Sequence, residues 1–216
     1  AYDDVLQFWA KAEVGYTPTL NVAYGGLGAE YYWYQESKVY EHKRLRRFVP
    51  NRVLNARARR PEKAPHHEWN HIDVARFAKR LIDAGGKVQI GGHGQREGLG
   101  SHWEIWALAQ GGFTPHEALR SATLHGAWYL GLDGDLGTLE KGKLADVVII
   151  EGNPLKDIRK SENIRTVIVN GRVFDARTMA QIYPKKVAAP SYFFATDGVN
   201  TDKSVRDADG CVGCRH

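Results

Sequence analysis

Apolar positions set the first element. Val5, Leu6, Trp9, Ala10 and Ala12 recur at helical spacing behind Asp3 and Asp4, either of which can cap a helix. Thr17–Tyr24 (TPTLNVAY) then reads as a strand with Gly25 and Gly26 at its exit, one step of a βα-type unit. Tyr24 and Gly25 fall at the C-terminal end of that strand, where they either line a pocket or only form a loop. Glu30–Tyr40 is crowded with Tyr31, Tyr32, Trp33, Tyr34 and Tyr40 but has no period. It is expected to be a long loop, either a lid over a site or packing against the basic segment that follows. Asn51–Arg60 is expected to be helical, and Arg60-Pro61 ends it. His66, His67 and His71 fall in a proline-flanked loop and at a helix start, and are expected at the surface. Asn70 with Asp73 predicts the start of a helix running to about Ala84, with Ile72, Ala75, Ala78, Leu81 and Ile82 inward.

The stretch that organises the chain is Lys87–Gly98, KVQIGGHGQREG. Lys87–Ile90 is short and β-prone, and it follows a helix closed by Gly85-Gly86, a junction typical of parallel sheets. Gly91, Gly92 and Gly94 flank His93 and let backbone come close to a ligand or metal. A titratable side chain among glycines at a strand's C-terminal end is a candidate catalytic group, because barrel folds carry their chemistry there. The alternative is a plain loop histidine. Beyond the loop, Ser101-x-x-Glu104 and Thr114-Pro115-x-Glu117 both have capping-box spacing, which gives Glu104 and Glu117 a structural explanation. His102, in the first turn after the loop, is a candidate to point into a pocket together with Gln95 and Gly92.

From Asp133 the period shortens. Gly137–Lys143 is turn-rich, Ala145–Ile150 is a strand, and Arg165–Val169 and Arg172–Phe174 flank Asn170-Gly171, a strong hairpin signal. The chain therefore divides into an αβ region over residues 1–132, a small β module over 133–180 and a polar tail over 181–216.

Composition narrows the partners. Among 216 residues, 43% are hydrophobic, enough for a substantial core, and no apolar run approaches the length needed to span a bilayer. Much of the formal charge of +5 lies in Lys43–Lys63, which carries seven arginines. Such a run can touch nucleic acid or an acidic substrate, but no nucleic-acid-binding pattern accompanies it, and a solvated helical face is the preferred reading. Cys211 and Cys214 close the chain as Cys-x-x-Cys, a spacing used for zinc or redox chemistry; no second Cys/His pair stands near, and the compartment stays open.

The segments GLGSHWEIWALAQGGFTPHEALRSATLHGAWYLGL, GDLGTLEKGKLADVVIIEGNPLKDI and TVIVNGRVF, in that order, resemble the C-terminal third of the metal-dependent amidohydrolase superfamily over roughly Gly85–Asp175. YTPTLNVAYGG and GGHGQREGLGSHWE are similar to a branch whose members carry a TolB-like β-propeller ahead of the barrel, and that branch points to an extracytoplasmic or periplasmic location. The resemblance implies an α/β fold: the last strands and helices of a TIM-like (β/α)8 barrel plus part of a small β-sandwich. It also implies one or two divalent metals, often zinc, activating a water that cleaves a C–N bond. An acid/base group at the tip of the last strand moves the proton. In most of the family that group is aspartate; the matching position here is His93, which can bind a metal or act as a base but adds no carboxylate charge.

The family's His-x-His pair sits on the first barrel strand, earlier than this chain reaches. The expectation is therefore that most metal ligands come from the N-terminal remainder of the barrel or another subunit, in a homo- or hetero-oligomer. The substrate is expected to be a small-molecule or peptide-like amide, with no nucleic-acid or membrane partner. The competing reading is a degenerate or truncated barrel that serves as a subunit or binding module.

Overall fold

The structure, a computed structural model, describes residues 2–23, 27, 29–56, 58, 62–93 and 96–192. Helix α1 spans Asp3–Lys11 and buries Leu6. Tyr2, not an aspartate, holds its cap position, without a side-chain bond. Asp3 and Asp4 lie instead in the first turn, where the helix dipole favours negative charge. Trp9, Tyr16 and Phe77 pack edge to face (5.1 Å between Trp9 and Tyr16, 5.6 Å between Tyr16 and Phe77) and join three elements.

Strand β1 (Gly15–Tyr16) pairs in parallel with β2 (Lys87–Val88), Gly15 opposite Lys87 and Tyr16 opposite Val88. The Gln89 N–H donates to Tyr16 O at 2.9 Å and carries the ladder one step further. The strand expected over Thr17–Tyr24 does not form: β1 stops at Tyr16, and Leu20–Val22 make a single 3₁₀ turn. Three causes act together. Pro18 has no N–H to give a ladder, Thr19 takes a left-handed conformation (φ 48°), and the N–H groups of Leu20 and Asn21 donate to the Glu104 carboxylate.

The aromatic stretch is likewise not a loop. It forms helix α2 (Ala29–Glu36), with Tyr32, Trp33 and Tyr34 buried. Three successive side chains of α2 are buried, so it meets neighbours on more than one side and its aromatic positions follow no single-face period. Trp33 stacks on Trp103 (6.2 Å, 21°) and meets Trp106 edge-on (5.5 Å). The basic stretch forms α3 (Lys43–Phe48) and α4 (Asn51–Ala56). It is more than a solvated face, because Arg44 donates to Glu162 O (3.1 Å) and Ile164 O (2.7 Å) and ties α3 to the β module.

Helix α5 (His71–Asp83) buries Ala75, Ala78 and Leu81, as its pattern predicts. Its start differs: Asn70 is itself helical and makes no capping bond, and His71 is buried, its Nε2 3.0 Å from Gln110 Oε1. Helix α6 (Leu99–Gln110) is the central element, burying Trp103, Ile105, Trp106, Ala107 and Leu108. Its N-cap is Gly98 at φ 72°, so Ser101 and Glu104 lie inside the helix and the capping box expected of them is absent. Gly111 marks its closest crossing with α5; a Cβ there would run into the Ala75 backbone. The second capping box does form at α7 (Pro115–Ser121): the Thr114 N–H donates to Glu117 Oε2 at 2.8 Å and the Glu117 N–H to Thr114 Oγ1 at 3.2 Å. Helix α8 spans Leu124–Tyr129.

The β module is an antiparallel sheet in the order β3 (Val147–Ile150), β4 (Ile164–Val169), β5 (Arg172–Asp175) and β6 (Gln181–Tyr183). Asn170 and Gly171, at φ 47° and 72°, make the two-residue turn that joins β4 to β5. Strand β6 lies in the stretch expected to be tail, and Gln181 and Val187 exchange backbone bonds beyond it. A 3₁₀ turn at Ile158–Glu162 fastens this sheet to the helices: Trp106 Nε1 donates to Ile158 O (3.0 Å) and Ser161 Oγ (2.9 Å), and Arg159 lies over the Trp33 and Trp106 rings. The result is a mixed α/β fold. Among the described residues no helix is long and apolar enough to cross a membrane. Cys211 and Cys214 lie outside the described residues.

Candidate active site

The loops leaving β1 and β2 run side by side from the same end of the parallel pair. Thr17 Oγ1 donates to Gln89 Oε1 at 3.3 Å across them. Gly91 is where they come closest. A Cβ on it would fall against Thr19 Oγ1 and within 2.9 Å of Thr17 Cγ2, so the approach requires glycine. Gly92 lies against Ser101 at the start of α6; a Cβ there would stand 3.0 Å from Ser101 Oγ. His93 follows, exposed at the tip of the loop beyond the C-terminal end of β2.

Beneath the two loops is a residue that sequence reasoning assigned to a cap. The Glu104 side chain is fully buried on α6. Its Oε2 accepts from the Leu20 N–H at 2.8 Å and its Oε1 from the Asn21 N–H at 2.5 Å; the Gly91 N–H also bonds to it. Asn21 returns the contact by donating from Nδ2 to Gly100 O at 3.0 Å. Burial pushes the Glu104 carboxyl up to about 7, against the lowering effect of the three backbone donors. The signal was present in the sequence as one acid inside the apolar run Trp103–Leu108.

The other candidates are dispersed. His102 faces away from the loops: its Nδ1 lies 3.1 Å from Ser161 Oγ in the 3₁₀ turn of the β module, and burial pushes its pKa down. Tyr24, Gly25 and Gln95 lie outside the described residues. His125, buried on α8, sits with Nδ1 3.1 Å from Val88 O, and burial lowers its pKa. Arg96, buried on the loop after His93, donates from Nε to Tyr34 OH at 3.0 Å. A separate cavity of about 390 Å³ lies between α3 and the β module, lined by His42, Lys43, Arg44, Arg47, Glu162, Asn163 and Arg177.

Among the described residues no group of three His, Cys, Asp or Glu side chains is placed to hold a metal ion. Among the described residues of this loop tip, the donor that could meet a metal is the exposed His93 imidazole.

Residues 78–174 match the sequence profile of the Amidohydrolase family. A 5-methylthioadenosine/S-adenosylhomocysteine deaminase of Moorella thermoacetica is 33% identical over 122 residues, 46% of this chain and 28% of that protein. The ochratoxinase of Aspergillus niger is 38% identical over 63 residues, 29% of this chain and 13% of that protein. The crystal structure of an A. niger ochratoxinase superposes on 81% of this chain and 35% of its own length, with a TM-score of 0.50 at 21% identity. A Xaa-Pro dipeptidase crystallised with methionine in its active site shares the fold over 80% of this chain and 37% of its own, with a TM-score of 0.51 at 20% identity. The chain thus spans little more than a quarter of the deaminase and little more than a third of the two superposed structures.

Proposed function

We propose, from the premise that residues 78–174 are an amidohydrolase-family region, that this chain is the C-terminal part of a hydrolase that cleaves a C–N bond of an amide or peptide-like substrate. The observation that carries the reading is the position of His93. It stands on a glycine loop at the C-terminal end of a parallel strand, inside the matched region. On this reading β1 and β2 are late strands of a TIM-like barrel, and the sheet β3–β6 belongs to a small β-sandwich beside it.

A divalent metal, held mainly by residues outside this chain, would supply an activated water and polarise the scissile carbonyl. His93 is the residue of this chain that reaches that centre. Its imidazole can donate a lone pair to a cation, or accept and return a proton. Gly91 and Gly92 hold the loop close against Thr17–Thr19 and Ser101. Gln95, Tyr24 and Gly25 stay substrate-binding candidates on their sequence positions alone. His102 is assigned to the seam with the β module, on the strength of its contact with Ser161.

The test is hydrolysis of N-acyl amino acids and dipeptides by the intact protein, with and without a chelator, beside the His93→Ala variant. Chelator-sensitive cleavage that His93→Ala abolishes without loss of fold supports the reading. Equal turnover in the variant removes His93 from the site.

A further inference from the structure

We propose that Glu104 is the positioning residue of this site: one buried carboxylate gathers the backbone N–H groups of Leu20 and Asn21 on the first loop and of Gly91 on the second, and so fixes where His93 stands. The role given to His93 rests on the hydrolase reading; the clasp itself does not.

The geometry argues for a device rather than incidental packing. Both carboxylate oxygens are used, at 2.8 Å and 2.5 Å, and these two donors come from one segment more than eighty residues away in the chain. The bonds to Leu20 and Asn21 replace strand pairing, since β1 has already ended at Tyr16. Gly91 is two residues from His93, and with no Cβ it lets the second loop settle against Thr19 and onto the same anchor. Without the carboxylate, three inward-facing N–H groups would lose their acceptor, and neither loop has a ladder to hold it. Glu104 therefore sets the relative position of two loops that it does not belong to.

Few other charges compete for it. The turn at Leu20–Val22 has none, and Lys87 in β2 is engaged with the Trp128 ring and Glu13. On α5, His71 is taken by Gln110 and Lys79 by Asp83 and Glu117 of α7. On the 3₁₀ turn of the β module, Arg159 lies over two tryptophans and Glu162 faces His42. His102, on its own helix, is turned to Ser161; Arg96 is held by Tyr34 and, like His93, lies on the loop between β2 and α6. Among the described residues, none of these contributes to the elevation of Glu104, which comes from burial.

The test is amide hydrogen exchange of the intact protein, followed in the peptides covering residues 17–23 and 89–93. The carboxyl titrates at about 7 in the clasp and at 4.5 when solvated, so the folded value is raised. Stability from this group is full below the solvated value and is lost as pH rises through the folded one. After correction for intrinsic rates, opening of both segments should therefore become roughly twentyfold easier between about pH 5.5 and about pH 7.5. In Glu104→Gln the pH dependence should vanish. Exchange of both segments should rise together, because an amide offers one acceptor atom where the carboxylate offers two, while β4 and β5 stay protected. A wild-type profile in which one segment opens with pH and the other does not, or loosening of one segment alone in Glu104→Gln, overturns the proposal. If Glu104→Gln does not fold, Glu104→Asp, which shortens the reach of the same carboxylate, should loosen both segments together, and loosening of one alone overturns the proposal. No substrate enters the measurement, so failure of the hydrolase reading would leave its outcome unaffected.

Discussion

A glycine-to-alanine series reads the closeness of the two loops directly. At Gly91 the added methyl would stand 2.9 Å from Thr17 Cγ2 and 3.1 Å from Thr19 Cβ, with Thr19 Oγ1 nearer still. The obstructing atoms are all side-chain atoms, but Thr17 is held through Gln89 and Thr19 sits in a left-handed backbone, so neither yields freely. Overpacking of this kind costs about 1–3 kcal/mol, and Gly91→Ala should fall near the middle, at about 2 kcal/mol. Gly134 is the matched control, since a Cβ there meets nothing within 4 Å and its φ is not positive. Gly134→Ala should change stability by less than about 0.5 kcal/mol. Gly111→Ala marks the upper end, because its methyl would strike the Ala75 backbone, and should cost about 3 kcal/mol or more. Urea unfolding of the intact protein at unchanged m value gives the ranking. If Gly91→Ala matched Gly134→Ala, the loops would be further apart than described and the argument for glycine at that position would fail.

Trp106→Phe removes the donor to Ile158 O and Ser161 Oγ together with part of the buried ring system, and should cost about 1–3 kcal/mol from the bonds, with a void adding to it, in the same unfolding assay. Burial holds the His71 pKa below the ordinary histidine value, with the Gln110 bond opposing. Its stabilisation is therefore full above the unfolded value of about 6.5 and is lost as pH falls through the folded one, so His71→Gln should flatten the acid side of a midpoint-versus-pH curve. His93→Ala should abolish hydrolysis while moving the unfolding midpoint by less than about 0.5 kcal/mol, because the side chain is exposed.

What was legible in the sequence was what local chemistry decides. Thr114-Pro115-x-Glu117 formed its box because the cap, the proline and the acid all act within one turn. Asn170-Gly171 made its turn because both residues tolerate positive φ. The inward face of α5 followed from its spacing. The errors share another cause: distant residues decided the outcome. Glu104 had cap spacing behind Ser101, but Gly98 started the helix earlier and turned the acid inward to donors at Leu20 and Asn21. The same bonds took Thr17–Val22 away from the strand that its β-prone residues suggested. Tyr32, Trp33 and Tyr34 showed no period because α2 is packed on more than one side. His102 lies beside Ser161 of the β module, a neighbour that no local signal in the sequence announces. His93 is singled out by a purely local cue, glycines around a titratable group, and the structure shows it exposed beyond the end of β2.

The account rests on His93 reaching a metal centre whose other ligands lie outside this chain. Elemental analysis of the intact protein, wild type beside His93→Ala, after dialysis against a trace of chelator, tests it most directly. The account predicts tightly held divalent metal in the wild type and clear loss of it in the variant, with the fold retained. Equal metal content in the two proteins would contradict it.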